Sequence, residues 1–198
     1  KDSKDFLEKV RVESVIKKYS DHITHPVFIT EDGKKEEKKE GQKKINDGSA
    51  LWTREKKDIK KEDYDNFYNQ MGLNYDKPWK IIHNKIEGTL SYTNLLFIPS
   101  EKPFDLLNSE RNSNLKLYVK KVFITDKCEN ILPKYLRFIT GIVDSEDISL
   151  NISREMLQND PIINKIKLNL VKKIIAELKK EISKNKDNYI KFWDKFGA

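Results

Sequence analysis

One cysteine, Cys128, is all that a chain of 198 residues contains. A lone thiol excludes an internal disulfide and a multi-cysteine metal site, and it suits a reducing compartment. No apolar run approaches the ~18 residues of a membrane-spanning helix. The first residues, KDSKDFLEKV, lack the apolar block of a signal peptide. A soluble, cytoplasmic protein is therefore the expectation. Phosphate loops, GxSxG elbows, HExxH pairs and paired-cysteine motifs are all missing. His22 and His25 are three apart, but one falls at a helix end and the other before Pro26, with no third ligand in the pattern. His83 stands alone, as a strand-flanking or packed histidine would. No metal site is expected, and no self-contained active site is visible.

Arginine is scarce too: Arg11, Arg54, Arg111, Arg137 and Arg154 are the only ones among 39 Lys+Arg, so lysine carries the generic surface charge. The net charge of +7 admits an anionic partner, but the cations are mixed with 32 acidic residues and no arginine-rich block appears. Neither nucleic acid nor a membrane is expected as a partner. A content of 36% charged against 37% hydrophobic residues means that a solvated stretch dilutes a normal core. That stretch is residues 31–48, EDGKKEEKKEGQKKINDG, whose one apolar residue is Ile45. It cannot bury enough area to offset its ordering entropy, so it reads as a charged linker and the best boundary in the chain.

On its amino-terminal side, Val12, Val15, Ile16 and Tyr19 form one face of an amphipathic helix, and HPVFIT reads as a short strand. On its carboxy-terminal side comes a helix with Tyr64, Phe67, Tyr68 and Met71 on one face and Gly72 as its stop. An aromatic stripe of that kind is core packing. KIEGTLSYTNLLFIP, LKLYVKKVFIT and FITGIVD carry strand signals, and ENILPKYLRF reads as a helix interrupted by Pro133. The continuous apolar runs at 95–98 and 122–124 imply strands covered on both sides. Asp160 as N-cap and Pro161 in the first helical position start a helix of about six turns. Its apolar residues exceed one stripe: Ile163, Ile166, Leu170 and Ile174 lie on one side, and Leu168, Val171 and Ile175 on another. The reading is a helix sandwiched between the sheet and another helix. A last helix carries Tyr189, Phe192, Trp193 and Phe196 on one face. That face either packs back or is covered by polypeptide that follows.

Arg154 sits in the loop that precedes the six-turn helix. Its guanidinium offers a fixed, planar fork of donors suited to phosphate, and the same fork serves a surface salt bridge or a cap. Gln158, one turn on, would share its face.

ALWTR, HNKIEGTLSYTNLLFIPSEKPFDL, LKLYVKKVFITD, ILPKYLRFITGIVDSEDISLNISREMLQ and KFWDKFG, in unbroken order over residues 50–198, together resemble the middle domain of the heat-shock protein 90 chaperone family, most closely its bacterial form. The resemblance implies an α/β fold, a layered helix/sheet/helix sandwich followed by connecting helices. Residues 1–30 would be a severed helix-strand tail of the family's amino-terminal nucleotide-binding domain, 31–48 the interdomain linker, and 49–198 a truncated middle domain. It implies that Arg154 reaches the γ-phosphate of ATP held in that amino-terminal domain, with Gln158 supporting the same closed state and Asn151 and Ser153 placing the arginine. ATP and Mg²⁺ would belong to the full-length protein, and neither is expected to bind this stretch alone. Unfolded or partly folded clients, the protein's own amino-terminal domain and co-chaperones are the implied partners, with homodimerisation through a further domain. Trp52, beside the charged linker and so expected to be exposed, and the aromatic helix over 64–71 are the weaker candidates, both for client contact. The rival reading is a protein-interaction scaffold in which Arg154 makes only structural salt bridges. A basic nucleic-acid module comes third.

Overall fold

The computed structural model describes residues 8–30, 44–71, 76–106, 108, 114–126, 128, 131–150, 157 and 160–197. Its regular elements are α1 (Lys9–Ser20), α2 (Lys61–Met71), β1 (Pro78–Ile86), β2 (Tyr92–Pro99), β3 (Asn114–Val119), β4 (Val122–Thr125), β5 (Thr140–Ser145), α3 (Pro161–Lys184) and α4 (Lys186–Phe196). The strands make one sheet of order β1-β2-β5-β3-β4. β5 runs antiparallel to β2 and parallel to β3, and the outer pairs are antiparallel.

Every residue of β2 is buried, and neighbours along a strand point to opposite faces. Leu96 and Ile98 therefore enter one core with Leu115, Leu117 and Val143, while Leu95 and Phe97 enter a second with Tyr118 and Ile142. Ile163, Ile166, Leu170 and Ile174 of α3 cover the first core, joined by Phe192 of α4. Tyr68 of α2 and Trp52 cover the second, with Tyr64, Phe67 and Met71 packed at its margin. The expected helix/sheet/helix sandwich is thus what the chain builds, and the aromatic stripe of α2 is core packing. Between the layers β5 and β2 approach closely at Gly141. A Cβ there would lie 2.3 Å from the Leu95 carbonyl oxygen, and φ is +150°. Only glycine suits both constraints.

Several local expectations are corrected. Among the described residues HPVFIT finds no strand partner: Val27 accepts from the Ile45 N–H and donates to Asn46 Oδ1. The stretch 31–48 does pack at its end, for Asn46 is 3% exposed and its Nδ2 donates to the Ile23 and His25 carbonyls. Residues 31–43 lie outside the described residues, as does Gly72. PWKIIHNKI is a full strand, with only two of its residues buried because it borders the sheet. LKLYVKKVFIT is two strands rather than one. Lys120 and Lys121 take φ of 51° and 67° and make the two-residue turn between them. Among the described residues of ENILPKYLRF there is a 3₁₀ turn, Lys134–Leu136, in place of a helix, because Pro133 is extended (ψ 154°) and starts it from outside. α3 begins as expected, with Asp160 accepting from the Ile162 and Ile163 N–H groups. Its second stripe is covered only in part: Val171 packs against the first core, while Leu168 is 60% exposed. α4 packs back, with the Trp79 and Phe192 rings stacked at 4.6 Å and the Phe138 and Phe196 rings at 4.7 Å.

Candidate functional site

Arg154 falls in the segment between the end of β5 and the start of α3, and the described residues on both flanks of that segment are fixed. Asp144, near the end of β5, is 6% exposed. One carboxylate oxygen accepts from Trp52 Nε1 at 2.8 Å, and the other accepts from the Lys121 N–H at 3.1 Å. Burial pushes the Asp144 carboxyl above the usual carboxylate range, and these two hydrogen bonds oppose the shift. The Glu146 N–H donates to the Ser91 carbonyl, and Asp147 Oδ2 accepts from the Ser91 N–H at 2.7 Å. Ile148, 1% exposed, and Leu157, 3% exposed, then anchor the loop in the first core on either side of Arg154. At the far end the Asp160 cap starts α3 at a defined residue.

Asn151, Ser153, Arg154 and Gln158 lie outside the described residues. Trp52 does not have the exposure expected of it: the side chain is 1% exposed. It is held by Asp144 and by ring contacts with His22 at 4.7 Å and Tyr118 at 4.9 Å. A side chain so enclosed presents no surface to a client, because the linker beside it does not leave it bare. The reason is a polar partner 92 residues away in sequence. Asp144 was the signal to read: an acid closing an apolar strand, FITGIVD, must be paired if it is buried.

His83, read as packed or strand-flanking, is packed. Its Nε2 lies 2.8 Å from the Trp52 carbonyl oxygen, and its Nδ1 lies 2.8 Å from the Tyr64 hydroxyl. The carbonyl can only accept, so Nε2 carries the proton and Nδ1 accepts from Tyr64. Burial pushes the His83 pKa down, and the Lys56 ammonium adds to this, against the hydrogen bond to Trp52. Among the described residues no group of His, Cys, Asp or Glu is arranged to hold a metal ion. Nor is any helix among them long and apolar enough to cross a membrane.

A model of the Hsp90 protein family matches residues 31–198. The chain belongs to the Hsp90 family. Over 195 residues it is 49% identical to the chaperone protein HtpG of Orientia tsutsugamushi (strain Boryong), covering 98% of this chain and 30% of the relative. Over 197 residues it is 46% identical to HtpG of Roseobacter denitrificans, covering 100% of this chain and again 30% of the relative. HtpG of Paramagnetospirillum magneticum is 49% identical over 193 residues. The chain thus spans about 30% of the length of the curated Hsp90-family relatives it matches. Within this Hsp90 stretch Arg154 falls between β5 and α3 in the sequence.

Proposed function

We propose that residues 49–198 are the middle domain of an ATP-driven chaperone that assists protein folding, and that its contribution to the ATPase is the loop carrying Arg154. The observation that carries the reading is family membership joined to a loop fixed at both ends, between Ile148 and Leu157, in a chain that spends few arginines. ATP, held with Mg²⁺ by an amino-terminal domain, supplies the phosphoryl group that is hydrolysed. Arg154 is the residue suited to its γ-phosphate, because the guanidinium keeps its charge at every working pH and offers two parallel donors to phosphate oxygens. A cation so placed neutralises charge that builds up in the transition state. Gln158 supports the same closed arrangement, and Asn151 and Ser153 set the course of the loop. Residues 1–30 are the end of the amino-terminal domain and 31–48 the linker to it. Unfolded or partly folded proteins are the clients, co-chaperones bind the same protein, and a further domain makes it a homodimer in the cytoplasm.

On this reading the chain holds half a site. Calorimetric titration of the 198-residue chain with ATP and Mg²⁺ is expected to be flat. Binding at 1:1 stoichiometry with micromolar Kd would contradict the assignment of the nucleotide pocket to another domain.

A further inference from the structure

The face of β1 that turns toward α3 is interrupted by a polar residue. Ile82, Asn84 and Ile86 share that face, and the register sets Asn84 directly opposite Asn94 of β2, with Tyr92 opposite Ile86. Ile82, Ile86 and Tyr92 belong to the first core or pack against it. Two asparagines, a residue type that strands disfavour, therefore meet in the middle of an apolar surface. Asn94 is accounted for: it is 1% exposed and its Nδ2 donates to the Ile82 carbonyl at 3.2 Å. Asn84 is not. Its Nδ2 is buried and has no hydrogen-bond partner among the described residues. A group of that kind costs stability, and its retention calls for a reason.

Above the pair lies a crevice of about 450 Å³, within the size range of small-molecule sites. Every residue of its wall belongs to β1, β2 or α3. Asn169, Lys172 and Lys173 close it from α3, at i, i+3 and i+4 on one helix face. The Asn169 amide is hydrogen-bonded to the Tyr92 hydroxyl, which fixes a further carboxamide in the wall. No carboxylate lines the crevice. Lys173 pairs with Glu177 at 3.0 Å and Lys85 pairs with Glu87, while Lys172 makes no ion pair among the described residues.

We propose that this crevice binds a sugar phosphate, with its phosphate at Lys172 and its hydroxyls on the carboxamides, Asn84 above all. The lysine sets the charge of the ligand, because an ammonium with no carboxylate beside it favours an anion and suits phosphate. The volume sets its size, since inorganic phosphate alone would leave most of the crevice unfilled. The carboxamides set the rest of its chemistry: each offers both a donor and an acceptor, the pair that a hydroxyl uses. Asn84 Nδ2 has no bond to give up on turning to such a ligand. The inference does not depend on the assignment of Arg154.

Calorimetric titration with glucose 6-phosphate, glucose and inorganic phosphate tests it. Glucose 6-phosphate is expected to bind 1:1 and at least tenfold more tightly than either of the other two. Lys172→Gln weakens that binding at least tenfold, whereas Lys179→Gln, two turns further along α3, leaves it unchanged. Asn84→Val is expected to weaken binding at least fivefold and also to raise the thermal midpoint of the ligand-free chain. The second effect follows because a residue suited to strands replaces an amide that the fold does not satisfy. No binding of glucose 6-phosphate, or binding no tighter than that of inorganic phosphate, overturns the proposal. Equal losses in Lys172→Gln and Lys179→Gln would mean attraction by the net charge of +7 alone, and would overturn it as well. So would a lower midpoint for Asn84→Val, which would make Asn84 a structural residue.

Discussion

Replacing Asp144 with alanine removes the one acceptor shared by Trp52 and the hairpin turn. The side chain is 6% exposed and accepts two hydrogen bonds, from Trp52 Nε1 at 2.8 Å and the Lys121 N–H at 3.1 Å. Each such donor left without a partner costs about 1–3 kcal/mol, so the two together cost about 2–6 kcal/mol. One effect works the other way. Burial holds the Asp144 pKa above the usual range, so the ionised carboxylate is itself unfavourable there, and alanine relieves that strain while stranding the donors. Asparagine separates the two effects. It removes the charge and keeps one acceptor, but it must aim its amide NH₂ at the other donor, so its loss is expected to be roughly half that of alanine. In a domain of this size each kcal/mol moves the thermal midpoint by about 2–4 °C, which puts Asp144→Ala at about 4–24 °C. Urea unfolding followed by far-UV circular dichroism gives the free energy directly, with an unchanged slope as the check that the unfolded state is the same. A double-mutant cycle with Trp52→Phe is expected to show coupling of about 0.5–3 kcal/mol. A loss below about 0.5 kcal/mol for Asp144→Ala, the range of ordinary surface substitutions, would refute the view that this carboxylate holds Trp52 and the turn together.

The His83 pair predicts a pH dependence. Its pKa is depressed in the folded protein, so the unfolded chain binds the extra proton first. The stabilisation is fully present above about pH 6.5, the ordinary histidine value, and is lost as pH falls through the lower folded value. The stability advantage of the wild type over His83→Gln therefore shrinks between pH 7.5 and pH 5 in urea titrations, and an advantage that grows on acidification would contradict the neutral tautomer assigned here. Replacing Lys120 and Lys121 by Asn and Gly is expected to stabilise the chain by about 0.5–1 kcal/mol, because both positions have positive φ and the Lys121 N–H bond to Asp144 survives. Thermal melting measures it, and a loss would show that the lysine side chains contribute more than their backbone strain costs.

What could be read in advance followed from periodicity and local chemistry. The N-cap at Asp160 and Pro161, the aromatic face of α2 and the doubly covered β2 are written in neighbouring residues, and the fold places them as read. The errors came from pairings that the local sequence does not state. Lys120 and Lys121 turn a hairpin without glycine or asparagine, so LKLYVKKVFIT looked continuous. β1 is a border strand with His83 and Asn84 in it, and its alternation is blurred. HPVFIT has strand composition but no ladder partner among the described residues. Trp52 looked exposed because its neighbours are charged, while the residue that buries it is 92 positions away. Arg154 itself lies outside the described residues, and the structure adds only its buried flanks, Ile148 and Leu157.

The central claim is that Arg154 acts on nucleotide held by another domain and not on the stability of its own. The direct test is ATP hydrolysis by a protein carrying this chain together with its nucleotide-binding and carboxy-terminal parts, wild type against Arg154→Ala, with the thermal midpoint measured on the same samples. Hydrolysis is expected to fall at least tenfold, about 1.4 kcal/mol of barrier, with the midpoint unchanged. Arg154→Lys is expected to restore it only in part, because a point charge lacks the planar fork. Normal hydrolysis by Arg154→Ala together with a midpoint several degrees lower would contradict the account and leave Arg154 as a structural salt bridge.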